Sequence, residues 1–307
     1  MPPAELLSGL IAAPFTPLRS DGALNLPMID RLARSLAANS VSGAFVCGTT
    51  GEGSSLTSEE RRAVAERWAK VKPAKLKLIV HVGHNSQAES CALARHAGSL
   101  KADAIATLAP SFFKPTRLED LIAWCAQVAE AAPRTPFYYY HMPAMTGADF
   151  QMVDFLPAAR KAIPTFSGIK FTHENLMDYG RTVVRAEDQQ AVLFGRDEIL
   201  LSGLVLGARG AVGSTYNYMA PIYNKLMAYY ASGELAGAHA QQIRSMEIIA
   251  IMVKHGGLSA GKAIMKMIGL DCGPTRAPLR TLSIKQESAL RSELRKADFF
   301  HACSLNK

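Results

Sequence analysis

The sequence lacks several features, and each absence removes a class of function. No apolar run approaches the ~18 residues that a membrane-spanning helix requires, so no membrane partner is expected. The first residues, Met1-Pro2-Pro3-Ala4-Glu5, carry no basic segment followed by an apolar stretch, which argues against a secretory leader. Cysteine is sparse. The five residues, Cys47, Cys91, Cys125, Cys272 and Cys303, are odd in number and never form a C-x-x-C pair. That pattern argues against a disulfide framework and a thiolate zinc site, and points to reduced thiols in the cytoplasm. No G-x-G-x-x-G follows the first strand, so a dinucleotide fold has no direct support. Histidine is dispersed, and His81 and His84 fall on opposite faces of a strand, so no metal or other cofactor is expected. Blocks of basic residues interleaved with aromatics are also missing, despite a net charge of +8 and an isoelectric point near 9.3. Pairs such as Arg61-Arg62 are isolated among acids, so the surplus reads as a soluble surface with a mild pull on anions and no nucleic-acid partner.

What is present is a regular alternation. The 307 residues are 49% hydrophobic and 20% charged, a globular composition with ample core. Apolar strand segments are read at 9–18, 43–48, 76–83, 103–110, 136–143, 164–172, 191–195 and 210–213. Helical segments between them are read from Asn25 to about Asn39, from Thr57, over 86–99, from Leu118 to Ala131, from near Asp149, over 175–186 and over 197–206, with one more resuming near Pro221. Thr57 and Glu60 have the spacing of a capping box. Several strands are continuous apolar runs, as expected of parallel strands buried on both faces. Eight such units make a (β/α)8 TIM barrel over residues 1–232. The purely helical pattern at 234–255, 258–269 and 286–300 then makes 233–307 a C-terminal helical extension.

Catalytic groups of such barrels stand at the C-terminal ends of the strands. The sixth strand carries Lys170 between Ile169 and Phe171, where an ammonium costs desolvation energy unless it is used. A lysine made neutral by burial is a carbonyl nucleophile. The strand before it ends at Tyr140, a phenol able to move protons. After the second strand comes Gly48-Thr49-Thr50-Gly51-Glu52-Gly53, whose glycines and hydroxyls suit a carboxylate cradle. Thr172, Gly195, Asp197, Glu198 and Ser214 add two acids and several hydroxyls at the ends of the sixth to eighth strands. Taken singly, each is open to a plainer reading, and Asp197 in particular to helix capping. Together they suit a small substrate with a carbonyl, a carboxylate and many hydroxyls.

The segments GTTGEG, YHMPAMTG, GIKFT, GRDE and GAVGSTYN, in that order, closely resemble the N-acetylneuraminate lyase and dihydrodipicolinate synthase family. The resemblance implies a class I pyruvate aldolase on a (β/α)8 barrel, a homotetramer, with Lys170 forming the Schiff base and Tyr140 as proton carrier. It implies that Thr49 and Thr50 hold the substrate carboxylate. Thr172, Gly195, Asp197, Glu198 and Ser214 would line the hydroxyl-rich end. Synthases of the family read Y-N-x-P-x-R-T-G after the fifth strand, with the arginine gripping a second substrate. Here Met145 stands at that position and offers no charge. The lyase branch is therefore expected, splitting a sugar acid reversibly into N-acetylmannosamine and pyruvate. Another pyruvate-dependent aldolase or synthase is the alternative within the class. A non-catalytic sugar-acid binder is the alternative outside it, and the retained lysine–tyrosine pair argues against that one. One departure stands out: Phe112 and Phe113 occupy the loop where many members place a relay tyrosine, and a phenylalanine relays no proton.

Overall fold

The computed structural model describes residues 6–304, so Met1-Pro2-Pro3-Ala4-Glu5, on which the leader expectation rests, lies outside the described residues, as do the last three residues of the chain. Eight parallel strands close into a barrel in chain order: β1 (Gly9–Ala12), β2 (Gly43–Val46), β3 (Lys77–His81), β4 (Ala104–Thr107), β5 (Phe137–His141), β6 (Phe166–Phe171), β7 (Ala191–Phe194) and β8 (Gly210–Gly213). The helices are α1 (Leu26–Ala38), α2 (Ser58–Val71), α3 (Gln87–Ser99), α4 (Leu118–Glu130), the single turn α5 (Pro143–Thr146), α6 (Met152–Ala162), α7 (Leu176–Ala186), α8 (Leu200–Val205) and α9 (Tyr216–Ala231). Helices α10 (Leu235–Lys254), α11 (Leu258–Met267) and α12 (Ile284–Lys296) follow. This is the (β/α)8 TIM barrel with C-terminal helices that the alternation predicts. Among the described residues no single helix is long and apolar enough to cross a membrane.

The described residues fall into two compact units that alternate along the chain. The first takes in 77–196 and 202–212, hence β3 to β7 and α3 to α7. Its strands are buried on both faces, with Ile79, Ile105, Phe137, Ile169 and Phe194 essentially inaccessible. The second takes in 10–76, 197–201 and the chain from 213, hence β2, α1, α2 and α9 to α12. Helix α1 turns Ile29, Leu32, Ala33 and Leu36 inward at helical spacing. The capping box of α2 is formed, with Thr57 Oγ1 accepting from Glu60 N and Glu60 Oε2 accepting from Thr57 N.

Several boundaries differ from the sequence reading, and three of them have a clear local reason. β1 stops at Ala12 because Pro14 and Pro17 offer no ladder donors. α6 starts at Met152, beyond Asp149, because its first N–H groups are capped from elsewhere: Asp178 accepts from Met152 N at 2.8 Å and Val153 N at 3.1 Å. α9 starts at Tyr216, not near Pro221, and breaks at Met219, where φ is −124°. The proline ring displaces the preceding turn without ending the helix.

Candidate active site

In the first unit the ends of β5, β6 and β7 converge on one amine. β5 and β6 begin in step, Phe137 opposite Phe166, but the register shifts so that Tyr138 pairs with Gly168 and Tyr140 with Lys170. The residue passed over is Ser167. Because one residue of slip turns every side chain to the other face, this irregularity is what aims Lys170 to the same side as Tyr140. Gly168 permits it: a Cβ there would stand 2.8 Å from the Tyr138 ring and collide with Ala191 O.

Lys170 is 5% exposed and its Nζ stands 3.5 Å over the centroid of the Tyr140 ring. The Tyr140 hydroxyl donates to Met142 Sδ at 3.0 Å. His81, at the end of β3, meets the same ring edge-on, with centroids 5.9 Å apart. Only the strand-end rule signals His81 from sequence, where it enters as a metal ligand to be dismissed. His84 instead accepts from Ser86 N in the turn that opens α3. Among the described residues no group of three or more His, Cys, Asp or Glu is placed to hold a metal ion.

The β5–β6–β7 ladder continues one residue past the strands, Thr172 N donating to His141 O and Gly195 N to Phe171 O, both at 2.8 Å. This sets Gly195 against Thr172, two residues beyond Lys170. Thr172 Oγ1 is buried with no hydrogen-bond partner among the described residues, and a Cβ on Gly195 would collide with it. A buried hydroxyl without a partner is uncommon in a native fold.

His141 points to the opposite face from Tyr140, packed against Phe171 and His173 with neither ring nitrogen bonded among the described residues. Burial, reinforced by His173, pushes it down to about 3, so it is neutral at ordinary pH. His173 in turn lies 3.3 Å from Glu174 and 3.8 Å from Asp149, and Arg196 pairs with Glu174. Met145 sits 63% exposed on α5, and the loop bearing Phe112 and Phe113 lays Lys114 against Gly147.

In the second unit Asp197 is 6% exposed and its Oδ2 accepts from Thr215 N at 2.9 Å and Thr215 Oγ1 at 2.6 Å. Thr215 Oγ1 is also 2.8 Å from Tyr223 Oη. The carboxylate fills the space over Gly213, where any Cβ would collide with it. Asp197 thus ties the segment after β7 to the segment after β8 and so holds Ser214, the neighbour of Thr215. Glu198 and Ser214 are half-buried, Thr50 is buried and Thr49 exposed. The loop from Gly48 to Gly53 closes on itself through Gly53 N to Gly48 O and Glu52 N to Thr49 O, both 3.0 Å.

Comparison with known proteins places the chain in a family. The profile of the Dihydrodipicolinate synthetase family matches residues 6–297. The N-acetylneuraminate lyase of Mus musculus is 42% identical over 99% of this chain and 97% of its own, and that of Gallus gallus 44% identical over 91% and 92%. Among solved structures, the Proteus mirabilis N-acetylneuraminate lyase superposes with a TM-score of 0.93 at 42% identity, covering 96% of this chain and all of that one. Matches of this extent show that the chain belongs to the dihydrodipicolinate synthetase family.

Proposed function

We propose that the protein is a class I aldolase, a carbon–carbon lyase that splits N-acetylneuraminate reversibly into N-acetylmannosamine and pyruvate. The observation that carries this reading is the buried Lys170 amine held over the Tyr140 ring on adjacent strands. The lyases named above, similar along nearly their whole length, supply the substrate class.

Neutral Lys170 attacks the C2 ketone of the open-chain sugar acid, and loss of water gives an iminium. The iminium is an electron sink, so the C3–C4 bond breaks with its electron pair moving into an enamine. Tyr140 takes the proton of the C4 hydroxyl, directly or through the substrate carboxylate, as that carbon becomes the aldehyde of N-acetylmannosamine. Protonation of the enamine at C3 and hydrolysis of the iminium then release pyruvate and restore the amine. Thr49 and Thr50 are assigned to the carboxylate, and Thr172, Gly195, Asp197, Glu198 and Ser214 to the hydroxyl-rich end. No cofactor enters any step.

A homotetramer in the cytoplasm completes the reading. The exposed Phe112 and Phe113 suit a subunit contact, and the five cysteines are free thiols, as a reducing compartment keeps them. Incubation with N-acetylneuraminate should release pyruvate, and pyruvate with borohydride should leave a reduced adduct on Lys170 alone. Release of pyruvate only from a different 2-keto-3-deoxy acid would move the substrate within the class. An adduct on another lysine, or none, would overturn the chemistry.

A further inference from the structure

The loop after β2 is held from far along the chain. Two non-glycine residues bracket it in the left-handed conformation, Cys47 at φ 59° and Glu52 at φ 53°. Such conformations persist only where the surroundings impose them. Thr16 Oγ1 donates to Gly51 O at 2.6 Å, and a Cβ on Gly53 would collide with Cys47 O. The strongest restraint is on Glu52. Its Oε1 lies 2.6 Å from Lys262 Nζ on α11, both side chains being 2% exposed. Its Oε2 accepts from Arg276 N at 2.7 Å, and Lys262 Nζ also donates to Pro274 O at 2.6 Å.

An ion pair this deep gains little net stability over an apolar pair, because both charges have been stripped of water. Removing one partner alone strands the other. What the pair supplies is a fixed place for the Glu52 carboxylate, and with it a fixed turn directly behind Thr49 and Thr50. Resting on the reading of those threonines as the carboxylate cradle, we infer that Glu52 and Lys262 are positioning residues for binding the 2-oxo acid. The ion pair sets the left-handed turn, the turn sets the peptide planes of the cradle, and α11 becomes part of the binding apparatus. The neighbouring Lys266, one turn along α11, pairs instead with Glu287 at the surface and serves as the contrast.

The test is borohydride trapping at Lys170 as a function of pyruvate concentration. Glu52→Gln keeps an oxygen for Arg276 N and loses the charge. Its half-saturating pyruvate concentration should rise roughly tenfold or more, while trapping at saturation stays within about threefold of the natural protein, the signature of weakened binding. Lys266→Ala should match the natural protein in both. If Glu52→Gln does not fold, the double variant Glu52→Gln/Lys262→Met, which leaves no buried charge unpaired, carries the same expectation. A folded variant whose half-saturation stays within about twofold of the natural protein, whatever its melting temperature, overturns the positioning role. Failure of the natural protein to be trapped at Lys170 overturns the Schiff-base reading beneath it, and is a separate result.

Discussion

Tyr140 and Lys170 are register partners only because β6 passes over one residue, Ser167, between Phe166 and Gly168. The pairing stacks amine on ring and leaves the phenol oxygen beyond the stack, bonded to Met142. Tyr140→Phe keeps the ring under the amine and removes only that oxygen. Turnover should fall by ~10²- to 10⁴-fold, the usual loss of one general acid–base. The borohydride adduct with pyruvate should still form. Steady-state rates beside adduct mass check both halves, and near-normal turnover in the folded variant would reassign the proton transfer.

Thr172 separates binding from stability. Its buried Oγ1 has no partner among the described residues, so Thr172→Val removes an unsatisfied group and should hold or raise the melting temperature. Under the assignment proposed for Thr172, the same change deprives a substrate hydroxyl of its partner, at about 1–3 kcal/mol, and kcat/KM for N-acetylneuraminate should drop ~5- to 150-fold. A scaffold role alone would leave kcat/KM unchanged.

Asp197 and Glu198 should part ways. Asp197 accepts two bonds from Thr215 in a buried setting, so Asp197→Ala should cost about 1–3 kcal/mol of stability and impair turnover as Ser214 shifts. Glu198→Ala, at a half-buried position, should change stability by no more than ~0.5 kcal/mol while still lowering kcat/KM for the sugar acid. Unchanged kcat/KM for both variants would remove them from the substrate site. Melting curves and rates on the same samples decide it.

His141 confers a pH dependence whose sign follows from its burial. Folding holds its pKa at about 3, below the ~6.5 of the unfolded chain. Between those values the unfolded chain binds the extra proton. The stabilisation is therefore complete above pH ~6.5 and is lost progressively as pH falls toward 3. His141→Phe, which suits neighbours Phe171 and Tyr139, should flatten the decline of melting temperature between pH ~7 and 5. An unaltered slope would show that other groups dominate acid unfolding.

Phe112 and Phe113 are 77% and 86% exposed and contact each other edge-to-face at 5.0 Å. Replacing either with alanine should leave the fold of one chain intact and shift light-scattering mass toward smaller species on dilution. Lost turnover with the assembly intact would mean a role in chemistry.

The barrel and its amine were legible because they rest on local rules. Apolar runs of strand length alternate with amphipathic segments, and Lys170, Tyr140 and the strand-end hydroxyls lie within a few residues of strand termini. What was not legible depends on partners distant in sequence. The start of α6 is set by Asp178 across 26 residues. The role of Asp197 as an anchor depends on Thr215, and the face on which Lys170 emerges depends on a register slip that no composition signals. The Glu52 restraint lies in a helix more than two hundred residues on, where Lys262 reads as one ordinary helical lysine.

The same long-range bonds bear on the order of events during synthesis. The Arg276 guanidinium reaches Gly22 O, Ser55 O and Glu60, spanning 254, 221 and 216 residues. A ribosome emits about 5–20 residues per second, so the β2 loop waits on the order of 10 s or more for the residues that complete it. During that interval the nascent chain carries the glycine-rich loop, with Cys47 and Glu52, without its final supports. The restraint on that loop is acquired only once Lys262 and Arg276 have been made and have folded back onto Glu52.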